Sequence, residues 1–289
     1  MEKIKCPNCG RYLVRIGGIL QCLSCGHKLK GNNSTKEIRE ANDVALAAAR
    51  DNIAADLDGS RTYALSRGIT EEAITKWEIG YLPWGHGFKL TFGRDKDGTP
   101  RRDAWWRRLV FPVKTPGGRY IAGFVGRIID RVERPKYINT AAEEESGYAK
   151  SQYLYGYHLL PKEIDELCIV EGPLDTISMD GAGYTVVGTL GCQISAYQMG
   201  LILKKKPKTV CIAYDSDVAG RNAKRKAIQA LREVGYGMDK IFIITTPEAK
   251  DVDEALQHKS ALIKTTAEEW LQENGEAMEE IVRRGEDEQ

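Results

Sequence analysis

Over residues 167–247 the chain alternates short apolar runs with segments of helical period, and no other feature constrains its fold as much. "LCIV", "YTVVGTLG", "TVCIAYD" and "KIFIITTP" read as strands, with helices in "GPLDTISMDGAG", "SAYQMGLILK" and "AGRNAKRKAIQALREVG" between them. Alternation of this kind indicates a parallel sheet with crossover helices. In open parallel sheets, functional groups collect outside the carboxyl ends of the strands. Here those ends are acidic. Glu171 follows one apolar run, Asp215 and Asp217 another, and Asp251 and Asp253 a third. Aspartate has poor strand propensity, and carboxylates this close repel and raise one another's pKa. A divalent cation with a taste for hard oxygen ligands removes that cost, so Glu171, Asp215 and Asp217 are read as ligands of Mg2+ (or Mn2+). Asp251 and Asp253 in "KDVDEAL", and Asp175 one turn into the first helix, add either a second metal or contacts around the first. Taken singly, Asp217 and Asp253 are also plausible helix N-caps.

A second cluster stands at the start of the chain, in "CPNCGRYLVRIGGILQCLSCGHK". Cys6 and Cys9 form one C-x-x-C, Cys22 and Cys25 the other, and each pair is followed by a glycine that permits a tight turn. The short strands between them, "RYLVRI" and "GILQC", bury little by themselves. A tetrahedral Zn2+ held by four thiolates supplies the missing folding energy. His27 lies just past a shell that four thiolates already complete. Cys168, Cys192 and Cys211 sit in or beside strands and are read as core residues.

The chain of 289 residues, 42% apolar and 29% charged, suits a soluble protein of two modest domains, or one large domain and a small module. No apolar stretch approaches the roughly 20 residues of a membrane span, and the N-terminus is no signal peptide. A cytoplasmic, reducing location follows, in which paired cysteines are metal ligands rather than disulfides. Net charge is only +1, but residues 94–136 hold 12 Lys/Arg against 5 Asp/Glu, and residues 266–289 hold 2 Arg against 9 Asp/Glu. A basic middle fits a polyanionic partner. After a polar linker, "GNNSTKE", in which Ser34 or Thr35 can cap, an alanine-rich stretch from Glu37 to Leu57 reads as a connecting helix. Further helices follow at about Ser60 to Ser66 and in "ITEEAITKW", with Thr70 as the cap. "RRLVFPVKTPGGRYIAGFVGRII" reads as an antiparallel hairpin turning at "TPGG", its arginines on one face and Val110 and Ile121 toward a core. The C-terminal segment from "EEWLQ" reads as an acidic helix with a frayed end.

"VEGPLD", "YDSDVAGRNA" and "KDVDEAL" resemble the three acidic motifs of the Toprim fold. The chain is similar to DnaG-type DNA primases of bacteria and phages. "RGITEEAITKWEIGYLP" resembles the start of their RNA polymerase domain, and "RLVFPV", "GGRYIAGFVGRII", "PKYINT" and "KSQYLYG" the basic subdomain before Toprim. The resemblance implies an α+β chain in five parts. These are a zinc ribbon (1–30), a linker and connecting helix (31–58), a basic subdomain (59–165), an α/β Toprim subdomain with a parallel sheet (166–262) and an acidic tail (263–289). It implies RNA primer synthesis on single-stranded DNA from ribonucleoside triphosphates by two-metal nucleotidyl transfer, with Glu171, Asp215 and Asp217 as metal-binding carboxylates. Asp175, Asp251 and Asp253 fall in supporting positions. Arg127, Lys136, Asn139 and Lys150 match residues that hold nucleotide and template. One of Trp105 and Trp106 could stack a base while the other packs in the core. The four-cysteine module is closer to phage forms than to the larger bacterial zinc domain. No helicase-binding domain and no Walker A motif are recognised, so a replicative helicase would act in trans. Two other readings share the same acids: a non-catalytic DNA clamp of the recombination-mediator type, and a Toprim nuclease. About 140 residues with a basic hairpin between zinc module and Toprim favour the primase over the first, and the PKYIN-type subdomain favours it over the second. A topoisomerase would need room for a domain carrying its tyrosine.

Overall fold

The computed structural model describes residues 14–16, 19–21, 28–29, 32–87, 97, 99, 101–130, 135–141 and 148–274. The cysteines Cys6, Cys9, Cys22 and Cys25 lie outside the described residues, as does the tail beyond residue 274. Near the N-terminus β1 (Val14–Ile16), β2 (Ile19–Gln21) and β3 (Lys28–Leu29) form an antiparallel sheet in that order. The chain divides into two compact units.

The first unit is built from α1 (Asn32–Ala54) and a four-stranded antiparallel sheet in the order β4-β5-β6-β7. Its strands are β4 (Gly80–Leu82), β5 (Arg108–Lys114), β6 (Ile121–Ile128) and β7 (Tyr137–Asn139). α1 starts earlier than its alanine-rich pattern suggested, so Ser34 and Thr35 lie inside the helix rather than capping it. Ala45, Leu46 and Ala49 pack with Leu82, Trp105, Val110, Ile121, Phe124 and Ile138. Gly80 makes the close approach possible, since a Cβ there would lie 2.6 Å from that of Ala49. The β5–β6 hairpin turns where expected, with Thr115 N donating to Tyr120 O at 2.9 Å. The arginines within its strands do not line an exposed face, however. Arg108 is fully buried and Arg127 is 6% exposed, because β5 and β6 are covered on both sides. Arg108 spends its guanidinium on carbonyls, donating to Ala104 O at 2.6 Å, Pro135 O at 2.8 Å and Lys136 O at 3.2 Å. Buried donors satisfied in this way fasten β7 and the segment before it.

The second unit holds α3 (Glu71–Lys76), capped by Thr70, and a five-stranded sheet in the order β12-β11-β10-β8-β9. α2 (Ser60–Ser66) precedes it. β8 (Glu166–Val170), β9 (Val186–Gly188), β10 (Thr209–Ile212) and β11 (Ile241–Thr245) run parallel. β12 (Ile263–Thr266) is an antiparallel edge, so the sheet is mixed rather than wholly parallel. Crossovers are α4 (Pro173–Gly181), α5 (Ala196–Lys205) and α6 (Val218–Glu233); α7 (Val252–Gln257) joins β11 to the antiparallel β12, and α8 (Ala267–Glu273) follows. Alternate residues of each strand face opposite layers. Leu167, Ile169, Val210, Ile212, Ile241 and Ile243 pack against α5, α6 and α8. Cys168, Val170, Cys211, Ala213 and Ile244 pack with Met179 of α4 and Val252 of α7. From β8 the chain crosses to β9 on one side, then returns past β8 to β10 on the other, which makes the β8/β10 boundary a topological switch point.

Candidate active site

The exits of β8 and β10 flank that switch point, and the second unit gathers its acids there. Glu171 is the first residue after β8, and Asp215 follows β10 by three residues. Glu171 accepts a hydrogen bond from the Asp215 backbone, yet its pKa is pushed up to about 7, first by burial and then by the charges of Asp215 and Asp217. Asp215 is raised by burial and by Asp251, and pulled back by Lys250, whose Nζ lies 3.6 Å from its Oδ2. Asp175, in the first turn of α4, accepts from Gly172 N at 3.2 Å. Its carboxyl is held well above the usual range by burial and by Asp251, Asp253 and Asp215. All six acids singled out in the sequence therefore share one electrostatic neighbourhood.

Their local roles differ from the simple cap reading. Asp217 does cap α6, its Oδ1 accepting from Gly220 N at 2.8 Å. In "KDVDEAL" the cap is Asp251 rather than Asp253, its Oδ1 accepting from Glu254 N at 2.8 Å. Asp253 is 3% exposed and bound on two sides, with Arg67 Nη2 at 2.7 Å and Ser178 Oγ donating at 2.6 Å. Each cap bond engages one carboxylate oxygen, and a carboxylate carries two. Gly220 keeps α6 close to this turn, since a Cβ there would lie 2.7 Å from the Asp215 carbonyl carbon.

Sequence reasoning missed the cations set among these acids. Lys224 is 2% exposed on α6, and its Nζ donates to Asp215 O at 3.3 Å. Burial lowers its pKa to about 8 against the opposing pull of Asp215 and Glu171. A signal existed: Gly220, Lys224, Ala227, Ile228 and Leu231 form the buried stripe of α6, and lysine is out of place on such a stripe. For Arg67, 186 residues from Asp253, no local signal existed.

Another donor group needs a different account. Glu166, Cys168 and Cys211 bring their ligand atoms within 4.8 Å of one another. Glu166, though, is paired with Lys264, and the Cys211 thiol is pushed up by its hydrogen bond with Cys168 and by burial. Cys168 and Cys211 thus behave as the core residues expected, whereas Cys192 is exposed and is not one.

In the first unit Arg127 donates to Tyr137 Oη at 2.7 Å, Lys136 is exposed, and Asn139 Oδ1 accepts from Tyr148 Oη at 3.4 Å. Lys150 is exposed and belongs to the second unit. Trp105 is fully buried in the core, whereas Trp106 packs at 4.6 Å between ring centroids on Trp84, which is 66% exposed.

Residues 51–160 match the family described as DNA primase catalytic core, N-terminal domain, and residues 168–256 match the Toprim-like family. The DNA primase of Legionella pneumophila is 31% identical over 215 residues, covering 68% of this chain and 36% of that protein. The chain belongs to the DnaG primase family. The family implies use of a divalent metal, and a cluster of hard carboxylate donors that repel one another fits one. The solved zinc-binding and RNA polymerase domains of Aquifex aeolicus primase superpose with a TM-score of 0.66 at 26% identity, covering 89% of this chain and 69% of that one. A DnaG primase catalytic domain solved bound to single-stranded DNA gives a TM-score of 0.66 at 22% identity, over 79% of each chain, a likeness of fold. The chain spans between about a third and about half of the length of the curated relatives it matches, from 34% of the Clostridium acetobutylicum DNA primase to 46% of the Aquifex aeolicus one. Among the described residues no helix is long and apolar enough to cross a membrane.

Proposed function

We propose that this chain is a DNA primase, a DNA-dependent RNA polymerase that makes short RNA primers on single-stranded DNA from ribonucleoside triphosphates. The observation that carries this is the convergence of Glu171, Asp175, Asp215, Asp217, Asp251 and Asp253 at the switch point of a Toprim-like sheet, in a chain that also holds the primase N-terminal core. Primer extension forms a bond from a 3′ oxygen to the α-phosphorus and breaks the bond to the bridging oxygen, releasing pyrophosphate. Glu171, Asp215 and Asp217 would hold Mg2+ (or Mn2+), with Asp175, Asp251 and Asp253 around them. When bound, such cations neutralise the triphosphate and favour ionisation of the attacking oxygen. The cap bonds that fix Asp217 and Asp251, and the contacts of Asp253 with Arg67 and Ser178, support this reading.

Arg127, Lys136, Asn139 and Lys150 would hold template and nucleotide, since lysine and arginine neutralise phosphates without reading sequence. Cys6, Cys9, Cys22 and Cys25 would hold Zn2+ in a ribbon over residues 1–30, followed by a linker (31–58), a basic subdomain (59–165), a Toprim subdomain (166–262) and a tail (263–289). A replicative helicase would act in trans, in the cytoplasm. The relative solved with single-stranded DNA supports that choice of template.

The test is primer synthesis on mixed-sequence single-stranded DNA with Mg2+ and labelled ribonucleotides, beside Asp215→Ala/Asp217→Ala. Short labelled oligonucleotides from the wild type alone are expected. Salt-sensitive DNA binding without product, with a helicase added, would point instead to a non-catalytic clamp.

A further inference from the structure

A buried lysine needs a reason, and Lys224 has an unusual setting for one. Its side chain is sunk in the second unit at 2% exposure, and its ammonium donates to the Asp215 carbonyl at 3.3 Å. The charges it feels from this turn are those of Asp215, Glu171 and Asp217, while Arg221 repels it. On its other side lies the Trp270 ring, with the centroid 6.0 Å from Nζ. Lys250 also reaches Asp215, but at 57% side-chain exposure its charge is largely screened by solvent. Lys224 is therefore a fixed, poorly solvated positive charge behind the carboxylates. A buried charge is retained at such cost when it offsets others, and a carboxylate cluster otherwise repels itself.

We propose that Lys224 is the internal counter-cation of this centre: it holds Glu171, Asp215 and Asp217 together when no divalent metal is bound, and its charge keeps the metal's affinity low. This rests on the reading of these carboxylates as the metal site. Two consequences separate the role from ordinary packing. An internal cation matters most in metal-free protein, because a bound divalent ion takes over the neutralisation. It also opposes that ion, so its removal tightens metal binding, whereas loss of a packing residue loosens it.

The experiment compares full-length wild type, Lys224→Met, which keeps length and removes charge, and Lys224→Arg, which keeps charge. Free Mn2+ is titrated by EPR at pH 7, and melting is followed in EDTA and in saturating Mn2+. Lys224→Met is expected to bind Mn2+ about tenfold tighter. Its Tm is expected to fall in EDTA and return most of the way to wild type in Mn2+, with Lys224→Arg close to wild type in both. A Lys224→Met protein that folds only when Mn2+ is present supports the same conclusion. Equal loss of Tm in EDTA and Mn2+, unchanged or weaker Mn2+ binding, or failure to fold in either condition overturns it. Asp215→Asn/Asp217→Asn serves as the reference for the metal reading. If it leaves wild-type Mn2+ binding untouched, the carboxylate site itself is wrong; if it abolishes binding while Lys224→Met changes nothing, only the role of Lys224 fails.

Discussion

Gly220→Ala tests how tightly the first turn of α6 controls the acidic loop before it. The added Cβ would lie 2.7 Å from the carbonyl carbon of Asp215 and 3.1 Å from its Cα, and nearer still to its carbonyl oxygen. These are backbone atoms, so no side chain can swing aside. Carbon atoms rest at about 3.5–4.0 Å, so helix and loop must part by roughly 1 Å. Overpacking of this kind costs about 1–3 kcal/mol, against at most about 1 kcal/mol gained by replacing glycine with alanine in a helix. The net effect on stability is a loss of about 1 kcal/mol, small enough to leave the protein folded. The effect on chemistry is larger, because Asp215 and the Asp217 cap, held to Gly220 N at 2.8 Å, move with the loop. A misplacement of about 1 Å costs on the order of a hundredfold in rate. Primer-synthesis rates and thermal melting of Gly220→Ala check both parts. A variant that melts no lower than wild type and keeps activity within about threefold would refute the argument that the close approach of Gly220 positions the acids.

Glu171 takes up its proton at about 7 in the folded protein, against 4.5 ordinarily, so the folded state binds more protons between those values. Metal-free stability contributed by this group therefore falls as pH rises from about 4.5 to about 7 and levels off above, and Glu171→Gln gains on wild type across that window in EDTA; a flat difference in Tm would sink the assignment. Divalent metal competes with the same proton, so Mn2+ affinity of the wild type rises with pH through the window up to about 7, as titration at several pH values would show, and a pH-independent affinity there would count against Glu171 as a ligand. Arg67→Ala leaves the carboxylate of Asp253, whose side chain is 4% exposed, without its guanidinium. A loss of about 2 kcal/mol in urea unfolding is expected, discounted because Arg67 itself is partly exposed. Trp84→Ala removes the exposed half of the Trp84–Trp106 pair and is expected to weaken single-stranded DNA binding about tenfold with little change in Tm, whereas Trp105→Ala destabilises the first unit; equal DNA affinity for Trp84→Ala would exclude stacking there.

The parts of the fold written as local patterns were legible. Alternating strand and helix periods located β8 to β11 and α4 to α6, and turn residues located the β5–β6 hairpin. What was not legible depended on partners distant in sequence. β12 is four residues, "IKTT", with none of them buried, so no apolar alternation marks it; it exists because β11 offers an edge. Arg108 and Arg127 looked like surface charge because strand period alone assigns them one face. Burial of β5 and β6 on both sides removed the distinction, and carbonyls of residues 104, 135 and 136 made burial of Arg108 tolerable. Cys192 sits beside a strand, as expected, but in its exit loop rather than in the core.

The acids were legible for a physical reason: a carboxylate at a strand exit is answered by the helix that follows. Asp217 takes an amide from the first turn of the 16-residue α6, and Asp175 takes Gly172 N at the start of α4. Helix N-termini carry partial positive charge, so each βα turn delivers a carboxylate and part of its compensation together. That compensation is incomplete, since Glu171, Asp175 and Asp215 all remain raised above their ordinary values. Burial is the first cause of that rise and the neighbouring carboxylates the second. Lys224 and Lys250 add positive charge at Asp215 from the buried and exposed sides. The sheet thus sets where the acids meet, and the helices and lysines set how much of their charge is offset there.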